Sequence, residues 1–271
     1  MGSAKGVLFL LTASALWGAI GVIVELLIAS PSEVVPAVAI RSLSATLVLL
    51  PFVKRVLRRD AALMGLISAT FYTTYVVTIT LEGISVPAVM LYTAPAFILA
   101  LYALEGRKVK AYEVMLVIPV VIGVLLLYGG QILSFATLLG LATGLTYGLL
   151  IWYSSLMQSR NYSEWEVIQA QSLWSLPPLA TASLAFPHLN LSVLEGGVLL
   201  GVLETVVAYY FFYKGMRFVG PFYSTVISAT EPVFAIVYAL LLFGQRLNGL
   251  QYLGAALILL SSILAAARTR R

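Results

Sequence analysis

Cysteine is absent from the 271 residues, which excludes disulfides, thiolate metal sites and cysteine nucleophiles. There is one histidine, His188, in a loop, and no cluster with metal-ligand spacing surrounds it. Charge is scarce as well: 10% of residues are charged, against about 25% in soluble domains. No phosphate loop, ATP-binding motif or nucleophile elbow occurs, so this chain alone has no evident means of primary active transport. No cofactor and no metal are expected. Apolar residues make up 61% of the chain, and the mean hydropathy is +1.00. A soluble protein this apolar could not cover its surface with polar groups, so the expected solvent is the lipid bilayer.

A spanning helix needs about 20 mostly apolar residues at 1.5 Å rise each. Breaking the chain at charges, prolines and glycines predicts ten of them: 6–28, 34–53, 61–81, 87–104, 112–128, 132–156, 165–186, 195–213, 219–243 and 249–267. The N-terminal stretch lacks a convincing cleavage site and reads as a first span rather than a signal peptide. Residues 112–156 would measure about 65 Å as one helix, so a break is expected at Gly129-Gly130. The least apolar span is 165–186, with Glu166, Gln169, Gln171 and Pro177-Pro178. Basic residues test the count, because cytoplasmic loops are rich in Lys and Arg. With the N-terminus inside, 14 basic residues are cytoplasmic, Arg246 is outside and Arg41 lies in a helix. Were 165–186 not to cross, the division would be 10 inside and 5 outside. Ten spans with both termini cytoplasmic are therefore expected. The same asymmetry accounts for the net charge of +5 without a nucleic-acid partner.

The two halves echo each other. "ALWGA" (15–19) aligns with "LTYGL" (145–149), setting Trp17-Gly18 opposite Tyr147-Gly148. "IRSLS" (40–44) aligns with "AQSLW" (170–174), setting Arg41 opposite Gln171. "LYTAPAF" (91–97) aligns with "SATEPVF" (228–234), pairing Thr93 with Thr230, Pro95 with Pro232 and Phe97 with Phe234. A repeat of five spans, being odd, must enter the membrane from the opposite side in its second copy. The expected architecture is an all-α integral membrane protein with ten transmembrane helices as two inverted five-helix repeats, 1–130 and 131–271. Inverted repeats characterise many secondary transporters, and paired interruptions in corresponding spans point to the binding site. Pro95 and Pro232 are such a pair, each expected to interrupt its span near the middle.

With these features the chain resembles the EamA-type branch of the drug/metabolite transporter superfamily. The resemblance rests on "ALWG" in span 1, "IRSLSA" in span 2 and "SATEPVFAIVYALLLFGQRL" in span 9, and it covers essentially the whole chain. It implies a cell-membrane carrier of small metabolites, often amino acids or related compounds and commonly an exporter. It also implies a central cavity formed by spans 1–4 and 6–9, with spans 5 and 10 peripheral. Two residues depart from the pattern. Ala94 stands where the second copy has Glu231, and Glu204 stands where the family usually has a small or apolar residue.

A carboxylate at the bilayer centre costs about 2.5–3.5 kcal/mol on insertion scales, so it faces a partner or a wet cavity. Glu231 sits mid-span, with Ser224 and Ser228 placed on the same helical face by their spacing. Its functional reading is a substrate-ammonium or proton site; the alternative is a packing hydrogen bond. Glu204 lies at similar depth in the preceding span, which makes the two acids the proton-coupling candidates. Arg41 is expected either to pair with Glu25 near the outer end of span 1 or to hold a substrate carboxylate. Trp17, Tyr72, Tyr75, Tyr92, Tyr147 and Tyr209 can line a cavity with a polar tip on an apolar body. Thr93 and Pro95 join this set from the first copy's break, beside Ser228 and Pro232 from the second. Gly140, Gly144 and Gly148 read as a helix-packing face.

The leading expectation is a secondary transporter, exporting or exchanging a small organic metabolite by alternating access, with proton coupling. A monomer suffices for it, with the solute, the bilayer and protons as partners. The competing readings are an intramembrane enzyme using Glu204 and Glu231 as an acid/base pair, and a channel-like structural subunit. Against the enzyme, no nucleophile or metal cluster accompanies the two acids.

Overall fold

A computed structural model describes residues 2–28, 30–82, 90–127, 135–186, 188–244 and 248–269. Among these there are helices and short turns but no strand. The first half contains α1 (Gly2–Gly18), α2 (Ile20–Leu27), α3 (Pro31–Val48), α4 (Val53–Val56), α5 (Arg59–Glu82), α6 (Ala94–Leu104) and α7 (Ala111–Leu127). The second contains α8 (Phe135–Ser159), α9 (Glu164–Ser183), α10 (Leu191–Leu199), α11 (Ala208–Val219), α12 (Pro221–Ser228), α13 (Glu231–Phe243) and α14 (Gly249–Arg268). A π-helical segment, Leu200–Val207, joins α10 to α11.

Five helical stretches are long and apolar enough to cross a membrane: Ser3–Leu27, Arg59–Thr78, Leu191–Val219, Pro221–Phe243 and Gly249–Arg268. A sixth arises if α3 and the turn after it, bent by 71°, count as one span. Ala94–Leu104 and Ala111–Leu127 are apolar but shorter. Helix length and composition thus support five or six crossings among the described residues, fewer than the ten expected. The break expected at Gly129-Gly130 lies outside those residues. The outer faces of α13 and α14 are leucine-rich and bare, with Leu241 at 73% and Leu264 at 48% exposure. Such faces suit hydrocarbon, and the chain is a multi-pass membrane protein.

The helices start where the sequence supplies caps. Ser163 and Glu166 form a reciprocal capping box at α9, satisfying two of the amides left bare at its first turn. Glu166 also meets Arg55 at 3.2 Å, tying α4 to α9. α9 tolerates its polar content because Glu166, Gln169 and Gln171 all turn inward and are buried, leaving Pro177 and Pro178 exposed. Most of the basic residues gather at one end of the bundle. There Arg217 bonds Glu164, Tyr162 donates to Asp60 at 2.8 Å, and Arg268 lies 4.8 Å over the Tyr112 ring. At the other end the Asn190 amide donates to Glu33 at 2.9 Å, joining the starts of α10 and α3.

Glycines set the closest approaches, and those approaches recur between the halves. A Cβ on Gly18 would stand 2.7 Å from Phe234 Cβ, and one on Gly148 would stand 3.1 Å from Phe97 Cβ. Gly65 lies flush against Trp174, as Gly201 does against Ser44. Gly18 and Phe234 are the repeat counterparts of Gly148 and Phe97, so the first two contacts are one contact made in both copies. Gly140 and Gly144 seat Met90 and Thr93, which is the packing role expected of that face.

Both prolines stand at an interruption of their span, as expected. Each occupies the first turn of the helix that follows, where its missing N–H costs nothing and its fixed φ is favourable. The chain breaks at Tyr92-Thr93 and again at Ala229-Thr230. The two breaks are built alike. Thr93 Oγ1 donates to Met90 O at 2.6 Å, and Thr230 Oγ1 to Ile227 O at 2.9 Å. Ala96 N then reaches Thr93 O, and Val233 N reaches Thr230 O, both at 3.0 Å.

Candidate functional site

A cavity of about 190 Å³ lies in the middle of the bundle. On each helix that lines it, the lining stops at one level. α1 and α2 contribute Trp17 to Ile28, but Leu10, Ala13 and Ser14 are sealed at 0% exposure. α3 contributes Val34 to Arg41, and α5 contributes Phe71, Tyr72 and Tyr75. From the π segment and α11 come Leu200, Glu204 and Tyr209, while Phe212 and Tyr213 beyond them are at 0%. The cavity therefore runs from mid-bundle toward the Ile28–Val34 end, with a floor on the side of the basic end.

Three charged side chains meet at this floor. Glu231 opens α13 directly after the break, where a helix N-terminus favours a carboxylate. It accepts a hydrogen bond from the Tyr92 hydroxyl, which stands at the end of the other break. Glu204 is 1% exposed, lies within electrostatic reach of Glu231 and Arg41, and has its Oε2 buried with no hydrogen-bond partner. Leaving such an oxygen unmatched is costly, typically about 1–3 kcal/mol or more for a charged group. Arg41 lies with its guanidinium 4.1 Å over the Tyr72 ring, a cation–π contact. Gly201 admits α3 against the π segment by its Arg41 carbonyl, so the lack of a side chain there sets Arg41 and Glu204 at one depth.

The π segment adds one residue to a turn and so rotates α11 relative to α10. Its signature is Thr205 Oγ1 donating five residues back to Leu200 O at 3.0 Å. Within this segment the Glu204 carbonyl takes the Trp17 indole N–H at 2.9 Å, which fixes the indole at the floor beside Tyr209, 5.0 Å between ring centres. Trp17→Phe removes that donor while keeping most of the apolar volume. A lowering of stability by about 1 kcal/mol is expected, read as a fall in the melting temperature of detergent-solubilised protein.

Of the residues singled out in the sequence, Trp17, Arg41, Tyr72, Tyr75, Tyr92, Tyr147, Glu204, Tyr209, Glu231 and Pro232 line this cavity. Ser228, Thr93 and Pro95 do not. The Ser228 hydroxyl donates to Ser224 O at 2.8 Å, because the break at residues 229–230 interrupts the face it was expected to share with Glu231. Thr93 binds Met90 O and packs on Gly144, and Pro95 is buried in the first turn of α6. The expected Glu25–Arg41 pair does not form: Glu25 is exposed, and no ion pair joins the two among the described residues. Sequence reading missed Tyr213, the π segment and the bond between Trp17 and the Glu204 carbonyl. A π turn leaves no mark in residue spacing.

The profile of the EamA-like transporter family matches residues 4–129 and again 134–267. The chain belongs to the EamA-like transporter family. An uncharacterized transporter from Archaeoglobus fulgidus is 29% identical over 228 residues, covering 81% of this chain and 82% of that protein. A solved crystal structure aligns over 99% of this chain and 98% of its own with a TM-score of 0.78; at 18% identity it speaks for the fold alone. In this EamA-like chain the family profile matches twice, and each match contains one of the two breaks at residues 92–93 and 229–230. The cavity lies where the two breaks face each other across Tyr92 and Glu231.

Proposed function

We propose that this protein is a ten-span secondary carrier of a small zwitterionic metabolite, such as an amino acid or a related compound. Its two five-helix repeats, 1–130 and 131–271, are inverted with respect to each other, and both termini face the cytoplasm of a plasma-membrane protein. The observation that carries the reading is the meeting of Arg41, Glu204 and Glu231 at the floor of one mid-bundle cavity. A solute carboxylate suits the planar guanidinium, and its ammonium suits the carboxylates. The cavity is smaller than the roughly 300–1,000 Å³ of drug-sized sites, which favours a compact solute. Repeat-related glycine contacts and two equivalent breaks support duplication, and the basic end supports cytoplasmic termini. The unmatched Glu204 oxygen beside a second acid supports a proton shared between them and exchanged for the solute's charge. Export or exchange in a monomer is the expected mode.

The test is a thermal-shift screen of amino acids, amines and nucleobases, followed by counterflow of the hits in proteoliposomes. A saturable flux accelerated by solute on the far side, with the solute chemically unchanged, is the expected result. A converted solute would point instead to an intramembrane enzyme, and a non-saturable flux to a pore.

A further inference from the structure

Beneath the cavity a chain of hydrogen bonds crosses the bundle. Gln171 Nε2 donates to the Tyr72 hydroxyl at 2.6 Å, and the Tyr213 hydroxyl donates to Gln171 Oε1 at 2.7 Å. Gln158 Nε2 donates to the Tyr213 carbonyl at 3.0 Å, and Ser154 Oγ, which donates to Leu150 O at 2.6 Å, packs 3.0 Å from the Tyr213 hydroxyl. Gln171, Tyr213 and Ser154 are all at 0% exposure. The bonds join α5 of the first half to α8, α9 and α11 of the second, so the floor cannot part without breaking them. The top of the chain reaches the cavity, since Arg41 stacks on the face of the Tyr72 ring whose hydroxyl Gln171 holds. Arg41 and Gln171 are repeat counterparts, and they converge on one tyrosine. The first copy's residue faces the cavity; the second copy's is sealed in the floor.

We propose that the hydrogen-bonded chain Tyr72–Gln171–Tyr213, held to α8 by Gln158, is the gate closing the cavity toward the basic end, and that Arg41 pins it through Tyr72. A solute that draws the guanidinium away from the ring loosens Tyr72 at the head of the chain, which couples occupancy to opening. These are positioning residues: apart from Arg41 and Tyr72, none touches the cavity. The inference rests on the carrier reading, and its test is separable from it.

The absence of cysteine makes a single thiol an unambiguous reporter. Ser68 lies one turn below Tyr72 on α5, at 0% exposure, and its hydroxyl has no hydrogen-bond partner, so Ser68→Cys disturbs nothing it holds. In proteoliposomes, a membrane-impermeant thiol reagent is added either to the face carrying the N-terminus or to the opposite face. Slow labelling is expected in the Ser68→Cys parent. Adding Gln171→Leu removes two hydrogen bonds, and labelling from the N-terminal face alone should rise at least about fivefold. Tyr213→Phe, which keeps the ring, and Arg41→Gln, which removes the pin, should each raise it in the same one-sided way. Variants are scored only when they elute as monodisperse protein, and three independent changes guard against one misfolding. Unchanged labelling in the folded variants, or an equal rise from both faces, overturns the gate. A carrier whose labelling ignores these changes keeps its transport function and loses this gate. A chain that labels as expected yet moves no solute does the reverse.

Discussion

Glu231→Gln is expected to lower saturable solute flux at least tenfold while leaving the protein folded. The carboxamide keeps an oxygen that can accept the Tyr92 hydroxyl, so the bond across the two helix breaks survives. What disappears is a negative charge at the start of α13, and with it the partner for a solute ammonium. Hydrogen bonds to charged groups contribute about 1.5–3 kcal/mol, which corresponds to roughly a ten- to hundredfold loss. Glu204→Gln separates the two roles of the acid pair. If Glu204 carries the proton, its amide should abolish accumulation driven by a pH gradient yet leave solute–solute exchange intact. If it binds the solute instead, both activities fall together. Preserved pH-driven accumulation in both folded variants would overturn proton coupling through these acids.

Residue order carried much of this site, and its limits have physical causes. The repeat alignment matched Trp17-Gly18 to Tyr147-Gly148 and Phe97 to Phe234, and the structure sets Gly18 against Phe234 and Gly148 against Phe97, one contact seen in both copies. Glu204, Glu231 and Arg41 stood out because each is costly in lipid, a signal that needs no coordinates. The Glu25–Arg41 pairing failed because helical spacing ranks neighbours within a helix but says little about which helix a long side chain leans toward. Arg41 found an aromatic face on α5 instead. The paired prolines marked both interruptions, although the sequence does not distinguish a bent helix from two helices meeting. Only the shared Thr-to-carbonyl bonds at residues 93 and 230 reveal the restart. The gate was illegible for a further reason: its members come from four helices, and Tyr213 lies in an ordinary aromatic run, "AYYFFY", that reads as packing. The one available hint was Gln171 aligned with Arg41.

The glycines give the sharpest stability prediction, because the added atom is the same and only its surroundings differ. Gly201→Ala would drive a methyl group into the Ser44 hydroxyl and to 2.6 Å from the Arg41 carbonyl, and backbone cannot move aside cheaply. Gly65→Ala meets Trp174 backbone at 2.7 Å. Overpacking of this kind costs about 1–3 kcal/mol and occasionally more, so both variants should lose several degrees of melting temperature or fail to purify. Gly21→Ala is the opposite case. No atom lies within 4 Å of its added Cβ, and alanine in a helix gains about 0.5–1 kcal/mol over glycine. It should therefore melt higher than the parent. Yet Gly21 lines the cavity, so the same methyl group narrows the space a solute must enter. A variant that is more stable and slower is the expected outcome, with the flux loss growing as the solute grows. Equal melting temperatures for Gly201→Ala and Gly21→Ala would show that α3 does not lie flush against the π segment. In that case Arg41 and Glu204 would have no common depth at which to meet one solute.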